Sequence, residues 1–264
     1  MHWVRIVHTT YGFVVFSLLF LLFFPLLLIP IVLPSQFRLV GVFNRWWAKA
    51  MFALCLLPVR IECRAPLDKR KQYVFCPNHF SYLDIPTMGL SPINTIFVGK
   101  NDMEKIPLFG FMYRKLHITV DRKSLKSRST TLIASMKALE EGKSLVIYPE
   151  GGIITKQPPA MVPFKDGAFR AAIEKQIAVV PVTIPNNWII LPDDKLILQR
   201  GSVHVIFHEP IETKGMKLEQ VNELKERVFN VIDNELRTWN SWVVRSVISV
   251  RCSVFSISTN SYLP

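Results

Sequence analysis

A chain of 264 residues has room for one catalytic domain plus an appendage, and can bury a core of its own without disulfide or metal staples. Lys and Arg number 32 against 20 Asp and Glu, a net charge of +12, while 50% of the residues are hydrophobic and the mean hydropathy is +0.26. Such a chain expects an anionic lipid surface or a phosphorylated substrate; nucleic acid is set aside, because basic runs such as 122–128 accompany no nucleic-acid-binding motif.

No charged residue stands between Arg5 and Arg38, and residues 11–33 are almost wholly apolar. As a helix this stretch would be about 35 Å long, enough for a hydrocarbon core of about 30 Å. Pro25 and Pro30 leave a kinked span, a re-entrant hairpin and shallow embedding as alternatives. Arg38, Arg45 and Lys49 follow the segment whereas only Arg5 precedes it. The positive-inside rule therefore predicts that the rest of the chain lies on the cytoplasmic side of a cell's inner membrane. Residues 46–58 (WWAKAMFALCLLP) read as a helix lying at the interface, so 1–59 form a membrane-anchoring unit.

Residues 60–240 read as a soluble domain. Short apolar runs predict strands at 73–76, 95–98, 117–120, 144–148, 178–184 and 203–207. Pro181 within the fifth of these predicts an edge or a bulge. Helical spacing predicts helices at 127–142, stopped by Gly142, at 165–175 and at 217–239. Their alternation predicts an α/β fold, a largely parallel sheet flanked by helices, preceded by an N-terminal membrane helix or helical hairpin. The tail, 241–264, follows no such pattern and is expected to be a poorly ordered end.

Chemistry concentrates in Asn78-His79-Phe80-Ser81-Tyr82-Leu83-Asp84, just after a buried strand. An alcohol is a poor nucleophile until a base takes its proton, and the unperturbed imidazole pKa of about 6.5 suits that task near neutral pH. A carboxylate five residues on can fold back to fix the ring's tautomer, so His79 and Asp84 are the candidate base and orienter. The substrate's own hydroxyl would then stand where a serine stands in a hydrolase triad. Cys76 is a weaker candidate nucleophile, because its apolar run denies a thiolate the electropositive site it needs. His204 and His208 lie on a strand, too far apart to grip a metal, and the four cysteines have no ligand spacing, so no metal site is expected.

NHFSYLD fits NHxxxxD, and with three further blocks the chain resembles the 1-acylglycerol-3-phosphate acyltransferases over about residues 70–212. Leu116-His117-Ile118-Thr119-Val120-Asp121-Arg122 is similar to the second block, Tyr148-Pro149-Glu150-Gly151-Gly152-Ile153 to the third, and Val179-Val180-Pro181-Val182-Thr183-Ile184 to the fourth. The resemblance implies a phospholipid-biosynthetic enzyme that moves a fatty acyl group from acyl-CoA or acyl carrier protein to the sn-2 hydroxyl of lysophosphatidic acid, giving phosphatidic acid. No cofactor is implied, and membrane lipids are expected partners.

By the same resemblance, His79 and Asp84 are catalytic, with Asn78 beside them at the substrate. Arg122 would bind the acceptor phosphate, Glu150 the glycerol backbone or the cations, and Pro181 would line the acyl side. The segment 106–112, flanked by Lys100 and Lys105, would shape the acyl tunnel or pack in the core. The third block departs from the family: Gly152 and Ile153 stand where threonine and arginine are usual, removing one cation. Lys156, Lys165 or Arg170 could replace it, with Gly151 and Gly152 in the same turn. This departure keeps other acceptors open, such as glycerol-3-phosphate or a lyso-aminolipid, as well as a thioesterase in which water replaces the hydroxyl.

Overall fold

The computed structural model describes residues 2–121 and 124–257, with side chains as far as Ser241 except at 2, 100, 102, 103 and 125. The chain opens with α1 (His2–Val32), which contains Pro25 and Pro30 yet continues through both. A turn of 3-10 helix (Pro34–Gln36) reverses it into α2 (Leu39–Leu54). The two helices pair antiparallel: Tyr11 Oη donates to the Leu54 carbonyl, the Phe16 and Trp47 rings meet edge-on at 5.2 Å, and Leu27 packs among Val40 and Phe43. The N-terminal unit is thus a helical hairpin that turns at 33–38, not a re-entrant one turning at Pro25 or Pro30. By length and composition, Trp3–Val32 could cross a membrane.

The domain that follows is a seven-stranded sheet: β1 (Val59–Cys63), β2 (Val74–Pro77), β3 (Thr95–Lys100), β4 (Ile118–Val120), β5 (Ser144–Ile147), β6 (Val179–Thr183) and β7 (Val203–Phe207). Their order is β1-β7-β6-β2-β5-β3-β4, with β6, β2, β5, β3 and β4 mutually parallel. The β7–β6 pair is antiparallel and β1 runs parallel to β7, so the sheet is largely but not wholly parallel. The strand β1 was not foreseen. Its sequence, Val-Arg-Ile-Glu-Cys, alternates apolar and polar residues over only five positions, and this edge strand is half exposed.

Short α3 (Asp84–Met88) and α4 (Phe109–Leu116) follow β2 and β3. One face of the sheet carries α5 (Leu125–Glu140), α6 (Gly167–Glu174) and α8 (Val221–Ile257), whose apolar stripe includes Leu224, Val228, Ile232 and Leu236. α5 is capped as its sequence suggests. The Ser124 hydroxyl accepts from Ser127 N, and Gly142, at φ +84°, closes a Schellman turn in which Lys143 N donates to the Ala138 carbonyl. The other face holds Phe75, Phe97, Val180 and Phe207 under α3, with α2 beyond it. α8 continues beyond 239, where the sequence pattern stops, to Ile257; residues 258–264 of the expected irregular tail lie outside the described residues.

Pro181 sits inside the sheet, paired with Cys76, rather than on an edge strand. It is tolerated because β7 is irregular opposite it. Between the Val182–Phe207 pair and the Val179–Ile211 bridge the β7 side runs one residue longer than β6, a β-bulge in which His208 N still donates to the Pro181 carbonyl.

Candidate active site

Parallel strands β2 and β5 are neighbours, so the loops leaving their carboxyl ends meet at one edge of the sheet, where open α/β sheets place ligands. His79 stands two residues past β2, and Asp84 is the first residue of α3. His79 Nδ1 lies 3.0 Å from Asp84 Oδ2. The same oxygen accepts from the backbone N–H of Phe80 at 2.8 Å and of Ser81 at 2.9 Å. The loop is therefore wrapped around the carboxylate, and the five-residue spacing works because the chain turns at once into a helix. With Nδ1–H held by Asp84, the lone pair of a neutral imidazole is on Nε2. Asp84 is fully buried and His79 nearly so.

Three ties fix this loop to its neighbours. Asn78 donates Nδ2 to the Ile184 carbonyl at 3.0 Å and accepts Ile184 N–H on Oδ1 at 2.7 Å, so it staples the end of β2 to the end of β6. Expected at the substrate, Asn78 is instead completely buried. Glu150, just past β5, accepts His79 N–H on Oε1 at 2.8 Å and Val162 N–H on Oε2 at 3.2 Å. It braces the His79 loop against the loop 151–163. Burial pushes its carboxyl up to about 7, against the downward pull of those two N–H donors. The third tie is α7 (Asn187–Ile190): Asn187 Nδ2 donates to Asp84 Oδ1 at 3.0 Å and to Thr87 Oγ1 at 2.9 Å.

The roles of Tyr148 and Asn187 escape sequence reasoning. Tyr148 stacks on His79 with ring centroids 4.0 Å apart and donates its hydroxyl to the Asp84 carbonyl at 2.9 Å. Its position just before Pro149-Glu150-Gly151 was the available signal. Asn187 had none, because it reaches Asp84 from 103 residues away.

Gly151 and Gly152 have φ of +84° and +151°, backbone that favours glycine. A Cβ on Gly151 would collide with the Lys165 side chain, which lies across the turn, while Lys165 N donates to the Pro149 carbonyl at 2.8 Å. Lys165 is thus brought to the Glu150 turn. Lys156 stands exposed farther along the same loop. β4 ends at Val120 on the sheet edge that carries His79; Arg122, expected at the phosphate, lies outside the described residues. Cys76 is sealed in the core, where burial pushes its thiol up and keeps it protonated. His117 is half-buried at the end of α4, accepting Phe97 N–H on Nδ1, and burial pushes it down to about 4.

Residues 58–185 match the family model described as Acyltransferase. The chain is 30% identical over 204 residues to the lyso-ornithine lipid O-acyltransferase of Pseudomonas aeruginosa, an overlap of 70% of this chain and 74% of that one. It is 28% identical over 162 residues to the 1-acyl-sn-glycerol-3-phosphate acyltransferase of Saccharomyces cerevisiae, covering 60% of this chain and 54% of the yeast enzyme, about half its length. Its fold matches the crystal structure of the 1-acyl-sn-glycerophosphate acyltransferase of Thermotoga maritima with a TM-score of 0.76 at 22% identity, over 91% of this chain and 98% of that one. A family model seated over His79, Asp84 and Glu150, together with a relative matched over most of its length, establishes that the chain belongs to the acyltransferase family.

Proposed function

We propose that this enzyme transfers a fatty acyl group from acyl-CoA or acyl carrier protein to the sn-2 hydroxyl of 1-acylglycerol-3-phosphate, giving phosphatidic acid. The observation that carries the reading is the 3.0 Å contact of His79 Nδ1 with a buried Asp84 that accepts three further N–H groups. His79 Nε2 takes the proton of the acceptor hydroxyl as its oxygen attacks the thioester carbonyl. The tetrahedral intermediate expels the thiolate, and the Nε2 proton passes to the departing sulfur. Asp84 holds the ring and stabilises the imidazolium between the two transfers. Lys165 and Arg122 are the cations assigned to the acceptor phosphate, with Lys156 as a further candidate. The named S. cerevisiae relative supports this acceptor.

A second acceptor class has support of its own. Ile153 replaces the family's usual arginine, and a 30% identical relative is named for acylating a lyso-ornithine lipid. Purified full-length protein given acyl-CoA and a panel of lysophosphatidic acid, glycerol-3-phosphate and lyso-ornithine lipid separates the readings. The first expects phosphatidic acid as the main product, and preferential acylation of the aminolipid would replace it. Free fatty acid released at the same rate with no acceptor would mark a thioesterase.

We also read α1 as lying in the plane of the membrane rather than crossing it. Val4, Val7, Tyr11, Val14, Leu18, Leu22, Ile29 and Val32 form an exposed stripe along one side of the helix. The other side touches the domain near both ends: Leu198 N donates to Thr9 Oγ1, and Leu27 packs with Met112 and Leu116. Thr9 and Leu27 are about 27 Å apart along the axis. A helix crossing the bilayer would have to leave the domain over that length, whereas an embedded one keeps both contacts. The cytoplasmic leaflet of an inner membrane is the expected location.

A further inference from the structure

Three apolar side chains stand exposed where the chain passes from β3 to α4: Ile106, Leu108 and Phe111, at 48%, 49% and 41%. Leu108 has φ +60° and ψ −51°, and Phe109 N donates across it to the Pro107 carbonyl at 2.6 Å. This is a γ-turn of the rarer, strained hand. A residue with a side chain held there costs on the order of 1–3 kcal/mol, which a mere connector has no reason to bear. Gly110 fixes the turn, because a Cβ there would collide with the Glu104 carbonyl. The strained position carries a leucine, and it points outward.

The opposite side of the segment is anchored on the hairpin. Met112 and Leu116 are buried with Leu27, and the Phe109 ring lies 5.5 Å from Phe20. The exposed residues thus flank α1 at the level of Leu18, Leu21 and Leu22, which are themselves exposed. Lys115 and Arg114, the latter 3.8 Å from the Glu104 carboxylate, are exposed on α4 and supply a basic margin. Because β3 runs parallel to β5, the turn leaves the sheet at the edge that carries His79 and Glu150.

We propose that residues 106–111 form a second membrane contact, inserting Ile106, Leu108 and Phe111 at the headgroup–acyl boundary while Arg114 and Lys115 meet anionic headgroups. It rests on the in-plane reading of α1 and extends the membrane-facing surface to the mouth of the active site. A lipid alcohol leaving the leaflet there reaches His79 without crossing open water.

The test uses full-length protein with Cys63 and Cys252 changed to serine, bound to vesicles of phosphatidylcholine and phosphatidylglycerol. Polarity-sensitive labels are placed singly by Leu108→Cys, by Leu21→Cys on α1, and by Lys217→Cys far from both. Brominated lipid is expected to quench the labels at 108 and 21, and aqueous iodide only the one at 217. Iodide quenching at 108 with lipid quenching at 21 overturns the second contact, and overturns the in-plane reading with it only where lipid brominated deep in the acyl chain quenches 21 better than lipid brominated near the headgroup. Iodide quenching at both sites overturns the in-plane reading of α1 as well. Leu108→Gly provides an independent check. Glycine relieves the strained backbone, so thermal stability should rise while vesicle affinity falls; a fall in stability with unchanged affinity marks a purely structural turn. Changing Ile106, Leu108 and Phe111 together to serine should lower vesicle affinity at least about tenfold, and an unchanged affinity contradicts the proposal.

Discussion

Asn187 donates its side-chain N–H to Asp84 Oδ1 at 3.0 Å, on the carboxylate oxygen opposite the one that holds His79. Asn187 is buried and Asp84 fully so, which makes the bond one that water cannot replace. Asn187→Leu keeps the volume but strands that oxygen and Thr87. We expect a stability loss of about 1–3 kcal/mol and a fall in kcat of about 10- to 100-fold with KM nearly unchanged, because a buried positioning residue does not touch the acceptor. Steady-state kinetics against acceptor concentration checks it. A raised KM at constant kcat would give Asn187 a binding role instead.

Glu150 yields a pH signature. Its folded carboxyl is pushed up to about 7 from an ordinary 4.5, chiefly by burial. Between those values the folded chain binds a proton that the unfolded chain has released, so stability falls with rising pH across this window. The contribution is complete below about 4.5 and gone above about 7. Glu150→Gln removes this term. Denaturant unfolding of both proteins at about pH 5 and about pH 8 should show the wild type losing stability relative to the variant as pH rises. A difference that does not change with pH contradicts the assignment.

Gly151 and Lys165 separate fold from binding. Gly151→Ala forces a Cβ into a positive-φ turn and against the Lys165 side chain. It should destabilise the protein by about 1 kcal/mol or more and displace the lysine. Lys165→Met leaves the turn intact. Under the phosphate reading it raises KM for lysophosphatidic acid with little change in thermal midpoint, and an unchanged KM removes Lys165 from the acceptor site.

The alternation of apolar runs with helical stripes made the sheet and its main helices legible, and the His79–Asp84 spacing made the pair legible, because each is a local pattern. What escaped was non-local. Asn78 and Glu150 were expected at the substrate, yet both bond backbone of a neighbouring segment, which only the β6-β2-β5 adjacency reveals. Pro181 argued for an edge or a bulge, and the bulge is made by β7, a strand whose antiparallel pairing with β6 no single-strand pattern announces. The edge strand β1 and the short α3, α4 and α7 lack a long apolar period, so they went unread.

The most direct test is turnover by purified His79→Ala protein supplied with acyl-CoA and lysophosphatidic acid, with phosphatidic acid followed as product. Loss of at least about 10³-fold in kcat, with a thermal midpoint close to that of the parent, is expected if this imidazole is the base. Turnover comparable to the parent's would contradict the account.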